Sequence, residues 1–413
     1  MIGAGVVGVS CGRWLQQDGH SVRVIDPLAP GQACSYGNAG VFATDSVVPL
    51  ATPRTLRAAP GMLLRPDSGF SVRWRYLPRL LPWLVRFALC ARSVHMHRAM
   101  HALTALCAAA AAGYQPLLQH SVAARLVRAT GWATAFLSPR TLDACRWELE
   151  QRQHQGVRGQ ELDGAQLRER VPELGDAVAG GFWFPDCSMC TDPALLVRCL
   201  ADDLVAAGGI ISEERVTGLK ASPEQVRVET AGGEVAVDHV VIAAGAWSGA
   251  LARLVGDRFP LETERGYHAM IEQPGVTPSV PVMSGEHKFV TTPMREGVRL
   301  AGTTELGGLR LPPDTRRPAR LPVLARRLFP GLNGRHFTAW MGFRSTLPDS
   351  LPVIGRSPVM PSISYAFGHQ HLGLTLAGVT GRMLADELAG RAPPVDTMPV
   401  SAARFAQGVA AAS

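Results

Sequence analysis

The chain opens with the stretch that decides its fold, Met1-Ile2-Gly3-Ala4-Gly5-Val6-Val7-Gly8, and Gly12 follows one helical turn later. The Gly-x-Gly-x-x-Gly spacing is typical of the turn between the first strand of a nucleotide-binding βαβ unit and its helix. The apolar run 6–15 predicts that helix, and residues 21–26 predict a second strand that ends in Asp26. These features together predict an α/β chain with a Rossmann-like dinucleotide-binding domain.

Each position of the motif has a physical role. Gly3 makes the tight turn, Gly5 lets the backbone approach a pyrophosphate at the helix amino terminus, and Gly8 allows close packing of helix on strand. Asp26 lies 21 positions after Gly5, where an acid accepts hydrogen bonds from an adenosine ribose. We therefore expect the pyrophosphate site to comprise Gly3, Gly5, Val6, Val7 and Gly8.

The strand before this motif is unusually short. Only two residues precede Gly3, whereas strands usually have about five residues. The first strand of such a unit should lie centrally in the sheet. The sequence therefore predicts either a native start upstream of Met1 or a gap beside the nucleotide site.

Composition excludes several classes of protein. The 413 residues are 46% hydrophobic and 18% charged with a net charge of +7, which indicates a globular chain. The positive charge is almost all arginine, dispersed among acids, so it does not predict nucleic-acid binding. The Ala-rich run 99–124 is broken by Gly113 and Pro116, and it predicts a core helix rather than a membrane span.

The cysteines do not predict a disulfide framework or a metal site. No secretory signal precedes the eight cysteines, so reduced thiols and a cytoplasmic location are expected. Cys187 and Cys190 have CxxC spacing but neither a second pair nor neighbouring histidines, so coincidence is the favoured interpretation. No metal site is predicted.

Four further segments follow in order along the chain. They are Gly31-Gln-Ala-Cys-Ser-Tyr-Gly-Asn-Ala-Gly40, Val240-Val-Ile-Ala-Ala-Gly-Ala-Trp-Ser248, Trp340-Met-Gly-Phe-Arg-Ser-Thr-Leu-Pro-Asp-Ser-Leu-Pro-Val-Ile-Gly355 and Ala366-Phe-Gly-His-Gln-His-Leu-Gly-Leu-Thr375. In this order they resemble the D-amino-acid oxidase/dehydrogenase family of FAD-dependent flavoproteins across nearly the whole chain. The nearest likeness is to bacterial D-amino acid dehydrogenases, including the D-proline and 4-hydroxy-D-proline type.

The resemblance implies a domain organisation. A discontinuous Rossmann-like FAD-binding domain would comprise residues 1–45, 190–255 and 336–413. An α+β substrate-binding domain with an antiparallel sheet would comprise residues 46–189 and 256–335. The strands predicted around 263–268, 289–292 and 303–305 would form an antiparallel sheet that covers the flavin.

The resemblance also implies which further residues bind FAD. Residues 373–375 begin the amphipathic run 374–388, which predicts a helix amino terminus there. The resemblance implies that this terminus faces the flavin and stabilises its reduced anionic form. For His369 and His371, packing against flavin or backbone is as good an interpretation as catalysis. Besides the opening motif, the implied set is Ser35, Asn38, Ala39, Gly40, Val216, Ala244, Gly245, Trp247, Gly342, Gly368, His371, Leu372, Gly373, Leu374 and Thr375.

Arg344 carries the prediction for the substrate. The resemblance places its guanidinium over the flavin, where it would bind a substrate carboxylate through two parallel N–H bonds. The alternative is a structural ion pair with Asp349. Tyr267 and His268 are the other catalytic candidates, and because a strand alternates faces, only one of the two should point into the pocket.

These residues predict an FAD-dependent dehydrogenase that oxidises a D-amino acid by hydride transfer to flavin N5. Related oxidases often rely on a lysine beside the flavin to activate oxygen. Lys288 is the one candidate for that role here, because Lys220 lies in a surface-like strand. A quinone or respiratory carrier is therefore the expected electron acceptor. Two alternatives stay open: an oxygen-using oxidase of glycine, sarcosine or another secondary amine, and an FAD-carrying subunit of a hetero-oligomer that is inactive alone.

The segment 74–87 mixes aromatic residues with arginines. It could dock peripherally on the inner face of the cell membrane near that acceptor. The favoured interpretation is an amphipathic helix packed on the substrate domain, since Pro78 and Pro82 interrupt it. An oligomer is compatible with the sequence.

Overall fold

The computed structural model describes residues 1–64 and 69–408 of the chain. The α-helices there are α1 (Val6–Gln17), α2 (Pro53–Leu64), α3 (Leu77–Cys90), α4 (Ser93–Leu118), α5 (Pro139–His154), α6 (Gly164–Arg170), α7 (Pro193–Ala206), α8 (Ser248–Leu254), α9 (Arg316–Leu328) and α10 (Gly373–Leu388). Short 3₁₀ turns span Trp74–Tyr76, Val122–Leu126, Gly245–Trp247, Met398–Val400 and Ala402–Gly408. The core helix predicted from the Ala-rich run is α4.

The strands alternate with these helices along the chain. They are β1 (Arg23–Asp26), β2 (Val41–Phe42), β3 (Phe70–Val72), β4 (Val127–Ala129), β5 (Trp132–Phe136), β6 (Gln160–Asp163), β7 (Gly180–Phe184), β8 (Ser188–Cys190), β9 (Ile210–Glu213), β10 (Val216–Ala221), β11 (Val226–Thr230), β12 (Gly233–Val237), β13 (Val240–Ile242), β14 (Glu262–Ile271), β15 (Val282–Ser284), β16 (Phe289–Met294), β17 (Gly297–Leu306), β18 (Thr338–Thr346), β19 (Val353–Arg356) and β20 (Ile363–Phe367).

The opening residues occupy the centre of the first sheet. Strand β1 pairs in parallel with β9, and β13 pairs in parallel with β20, which β19 joins antiparallel. Ile2 forms parallel bridges to both Ile25 and Ile242, and its amide donates to the Val241 carbonyl at 2.9 Å. Residues 1–3 thus complete the sheet between β1 and β13, in the central position that the motif predicts.

The second large sheet has the order β18-β14-β17-β16-β15-β5-β7-β6, and β3 pairs with β17. Most of its pairs are antiparallel, as predicted, but β15 with β5 and β17 with β3 are parallel. Small antiparallel sheets β10-β11-β12 and β2-β8-β4 lie beside these two. The α/β fold class is confirmed, whereas the exact boundaries of the two domains stay a prediction.

Helices α4 and α10 approach each other through two glycines. A Cβ on Gly378 would lie 2.6 Å from the Gly113 carbonyl carbon. The Tyr114 hydroxyl next to this crossing donates to the Leu374 carbonyl at 2.7 Å. Since α1 also packs on α10, this helix layer covers one face of the first sheet and fixes where α10 begins.

No helix within residues 1–64 and 69–408 is long and apolar enough to cross a membrane. All eight cysteines are free thiols, and the Cys187 Sγ donates to the buried carboxylate of Asp45 at 3.3 Å. Nowhere in the described part of the chain do three or more metal-binding side chains cluster.

Candidate active site

A cleft of about 500 Å³ lies at the carboxyl ends of the central strands of the first sheet. Such a cleft is where open α/β sheets bind their ligands. Fourteen of the predicted residues line it: Gly3, Gly5, Val6, Val7, Asp26, Ser35, Asn38, Val216, Ala244, Gly245, Trp247, Arg344, Gly373 and Leu374.

The amino terminus of α1 forms one end of the cleft. Gly5 is the N-cap and offers no capping side chain, so donors of the first turn remain for a ligand, although the Val6 amide donates to Ser35 Oγ at 3.0 Å. Gly3 has a φ of +114°, and a Cβ there would collide with the Ala243 carbonyl. Only glycine therefore fits this turn.

Asp26 is held at the same end. Its Oδ2 accepts from the Ala4 amide at 2.8 Å and its Oδ1 from the Leu28 amide at 2.9 Å. These bonds orient the carboxylate, and each oxygen keeps a lone pair for a ribose hydroxyl. The glycine turn, the open helix terminus and the oriented acid all fit the adenosine diphosphate part of FAD.

Arg344 lies on β18 with its guanidinium exposed to the cleft and half-buried. Its side chain makes one long hydrogen bond, 3.4 Å from Nη1 to the Thr303 carbonyl, and no ion pair with a described residue. The alternative partner, Asp349, instead pairs with Arg404 at 2.8 Å. The Asp349 interpretation is therefore wrong, and the guanidinium is available to a ligand.

The neighbouring strand β14 places an acid and a glycine beside Arg344. Glu264 is the residue opposite Arg344 on the neighbouring strand β14, and it is buried. Burial raises the pKa of its carboxyl, against the opposing effect of Arg344 and a hydrogen bond from Thr346. Gly266, also on β14, makes room for Arg344, since a Cβ there would meet the guanidinium.

Tyr267 and His268 point to opposite sides of β14, as the alternation predicts, but neither lines the cleft. The Tyr267 hydroxyl donates to Glu305 Oε1 at 3.0 Å and accepts from the Asp314 amide at 3.0 Å. His268 stacks on Trp340 with ring centroids 5.1 Å apart. Burial and the nearby Arg299 lower the pKa of His268 to about 4, so its ring is neutral near pH 7. Their catalytic roles stay predictions.

The second sheet holds the loop that follows Ser35 and carries Asn38. Arg299 Nη1 donates to the carbonyls of Tyr36 and Asn38, both at 2.8 Å. Thr292 Oγ1 donates to the Ala39 carbonyl at 2.7 Å. Three carbonyls of this loop, which we call the clamped loop (residues 36–39), are therefore bound by side chains from β16 and β17.

The clamped loop explains several predicted residues that lie outside the cleft. Ala39 is part of the clamped loop, and Gly40 follows directly after it. The Gly40 amide donates to Asn38 Oδ1 at 2.8 Å. The Trp340 ring fills the space that a Cβ on Gly37 or Gly342 would need. The other predicted residues outside the lining are Gly8, Gly368, His371, Leu372 and Thr375.

The amino terminus of α10 forms the other end of the cleft. The helix begins at Gly373, as predicted, and no side chain caps it. His369 Nε2 lies 2.9 Å from Thr380 Oγ1, and burial lowers the pKa of this histidine to about 3. Because His369 is neutral, it adds no charge beside this open helix terminus. The positive potential there comes from the helix dipole.

Sequence reasoning missed Gln370, Arg299 and Trp340. Gln370 lines the cleft with a positive φ of 53°, and its buried Nε2 has no hydrogen-bond partner among described residues. Strained backbone with an unpaired polar atom is a recognised sign of a functional site. The sequence pattern singles out the flanking residues His369 and His371 rather than Gln370. Arg299 and Trp340 lie far along the chain from the loop that they hold, so no local signal reveals them.

The fold and the cleft define an FAD-dependent oxidoreductase of the α/β type. The family model described as "FAD dependent oxidoreductase" (DAO) matches residues 1–387, and the chain belongs to this family.

Two curated relatives match almost end to end. A D-amino-acid oxidase of Bradyrhizobium diazoefficiens is 37% identical over 98% of both chains. A D-amino acid dehydrogenase of Xanthobacter autotrophicus is 31% identical, over 98% of this chain and 99% of that one. The solved glycine oxidase of Geobacillus kaustophilus has a TM-score of 0.72 at 21% identity, covering 98% of this chain and 97% of its own, which supports the fold.

Proposed function

We propose that this chain oxidises a D-amino acid at its α-carbon, with bound FAD as the hydride acceptor. The observation that carries the proposal is the unpaired guanidinium of Arg344 in the same cleft as the open amino terminus of α10. A carboxylate bound by Arg344 would orient the α-carbon toward the flavin. The names of the two curated relatives support the D-configuration.

The residues of the cleft support a reaction without a strong protein base. His369 in the described lining is neutral with a pKa of about 3, and both Asp26 oxygens accept backbone amides. The other acid of the lining, Glu214, accepts from Thr230 Oγ1 and from the Gly232 amide with its Oε2. An amine that is neutral when bound can lose its α-hydride directly. The resulting imine is then hydrolysed to a 2-oxo acid and ammonia. The chain's own contribution is to bind and orient the substrate and to exclude water.

The electron acceptor proposed is a quinone or another respiratory carrier rather than oxygen. The chain has two lysines, and neither lines the cleft. Lys220 pairs with Glu229 on the surface, and Lys288 is exposed at the turn before β16. The name of the Bradyrhizobium relative favours the alternative, an oxidase that forms peroxide.

Anaerobic mixing of the FAD-loaded protein with a panel of D- and L-amino acids, glycine and sarcosine tests the proposal. We expect D-amino acids to bleach the flavin absorbance near 450 nm. Bleaching by L-amino acids alone, or by none of the panel, would contradict it, and the latter result would favour a subunit that is inactive alone. Aerobic turnover separates the acceptors, because rapid peroxide formation would identify an oxidase.

A further inference from the structure

Helix α3 and the 3₁₀ turn before it carry an apolar face that points to solvent. We call it the outer face of α3: Trp74, Pro78, Leu81, Val85 and Leu89. The exposed fractions of its large side chains are 68% for Trp74, 56% for Leu81, 53% for Val85 and 45% for Leu89. Spacings of three and four residues place them on one stripe of the helix.

A different face of α3 attaches the helix to the molecule. Leu80 and Trp83 are buried against Leu306 of β17, and Phe70 and Phe87 pack on them. The predicted packing of this segment on the rest of the protein is therefore confirmed for the inner face. It does not account for the outer face, which no described residue covers.

The chain segment that contains this face carries charge of one sign only. Residues 69–142 contain nine arginines and no aspartate or glutamate. Arg79 and Arg86 border the outer face, and Arg75 and Arg92 lie at its two ends. All four are exposed, and none forms an ion pair with a described residue. An apolar stripe with an arginine border is the pattern of a helix that lies in the interface of an anionic bilayer.

We propose that the outer face of α3 docks the protein on an anionic lipid bilayer. Trp74 and the aliphatic stripe would enter the headgroup boundary, and the bordering arginines would contact lipid phosphates. A second copy of the chain fits less well, because a two-fold interface here would bring arginines against arginines. An acidic partner protein would satisfy the arginines but is not indicated by any feature of the described surface.

This surface connects to the sheet that carries the candidate site. The Tyr76 hydroxyl donates to the two carboxylate oxygens of Glu262 on β14, at 3.1 and 2.9 Å. Glu262 pairs with Thr346, two residues beyond Arg344 on β18. A docked α3 would therefore hold the second large sheet, which carries Arg344, near the membrane, where a lipid-soluble electron acceptor is found. The docking itself goes beyond the proposed function and does not depend on it.

Co-sedimentation with vesicles tests the docking without any substrate. The FAD-loaded protein is mixed with vesicles of phosphatidylcholine containing 30% phosphatidylglycerol, and with vesicles of phosphatidylcholine alone. We expect binding to the anionic vesicles only, weakened by salt. The double variant Leu81→Glu/Val85→Glu should bind at least tenfold more weakly. Arg79→Gln/Arg86→Gln should lose about 25-fold, since each basic residue near such a surface contributes about fivefold.

A matched control is Val205→Glu on α7, which adds a charge at an equally exposed valine beside Asp202 and Asp203. It should bind anionic vesicles as the parent does. Flavin absorbance and flavin reduction in solution should stay normal in every variant, which shows that they fold. The proposal is overturned if the parent does not sediment, if the Leu81→Glu/Val85→Glu variant sediments equally, or if that variant dissolves a dimer of the parent seen by light scattering.

Discussion

At the scale of single residues, the charge balance around Arg344 decides what the cleft can bind. A guanidinium without an ion pair is costly to bury and strongly favours an incoming anion. The pairing of Asp349 with Arg404 removes the acid that the sequence offers as its partner. Glu264, the residue opposite Arg344 on β14, forms no ion pair with it, and burial raises the pKa of its carboxyl.

Arg344→Met should retain FAD and lose most of the rate of flavin reduction. Two charge-assisted hydrogen bonds to the substrate carboxylate disappear, each worth about 1.5–3 kcal/mol, so kcat/KM should fall at least 100-fold. Stopped-flow reduction at several substrate concentrations measures this. Asp349→Asn is the control and should reduce at the parental rate; equal losses in both variants would contradict the assignment of Arg344.

Arg299 acts on the site through the backbone, so we regard it as a positioning residue. Arg299→Gln should leave the carbonyls of Tyr36 and Asn38 without their charged donor, at a cost of about 1.5–3 kcal/mol. We expect weaker FAD binding and an altered flavin absorption spectrum, with partial recovery in Arg299→Lys. Equilibrium dialysis and spectra of the holoprotein measure both. An unchanged FAD affinity would contradict this role, because it would show that the clamped loop binds FAD equally well without the Arg299 hydrogen bonds.

At the scale of elements, the crossing of α4 and α10 determines where the second open helix terminus lies. Gly113 and Gly378 let the two backbones touch, and α10 begins at Gly373 at the edge of the cleft. The position of the helix terminus toward the flavin therefore depends on two glycines that lie remote from the cleft.

Gly378→Ala should destabilise the protein, because a Cβ there meets the backbone of Gly113 and the helices must separate. Overpacking of this kind costs about 1–3 kcal/mol and should weaken FAD binding as α10 shifts. Thermal unfolding with and without added FAD measures it. The matched control is Gly61→Ala in α2, where a Cβ meets nothing within 4 Å and the exchange should be neutral or stabilising. Similar effects of the two substitutions would contradict the packing argument.

At the scale of the whole molecule, buried neutral histidines make stability depend on pH. The folded-state pKa is lowered from 6.5 to about 4 for His268 and to about 3 for His369. Below pH 6.5 the unfolded chain takes up protons that the folded chain cannot hold. The stabilising contribution is therefore complete above pH 6.5 and is lost as the pH falls toward 4.

Denaturant unfolding from pH 7.5 to pH 5 should show this loss, up to about 1.4 kcal/mol per pH unit for each histidine. Buried acids such as Glu264, whose pKa is raised, act in the opposite sense, so the slope of a single protein is ambiguous. The comparison with His268→Gln isolates one group. That variant should lose less stability than the parent over the same interval, and parallel curves would mean that His268 takes up its proton as readily in the folded state as in the unfolded state.

Local patterns in the sequence were enough to predict many elements. The glycine motif predicted α1 and the central position of residues 1–3. The start of α10 at Gly373 followed from its amphipathic run. These features depend on residues close together in the chain, where periodicity and turn chemistry act directly.

Contacts between distant segments were beyond such reasoning. The partner of Asp349 is Arg404, and the loop at 36–39 is held by Thr292 and Arg299. The sequence placed Tyr267 and His268 near the substrate, yet neither side chain lines the cleft, and their catalytic roles stay predictions. Side-chain orientation depends on strand pairing, which local patterns do not report.

The sequence by itself determined the nucleotide-binding unit and the family of this protein, because glycine spacing and apolar periodicity act over a few residues. Only the tertiary structure decided that Arg344 is unpaired, that helices α1 and α10 open into one cleft, and that α3 leaves an apolar face in solvent. Each of these depends on which distant segments fold against one another. Charge compensation and burial are properties of that packing and not of the chain order.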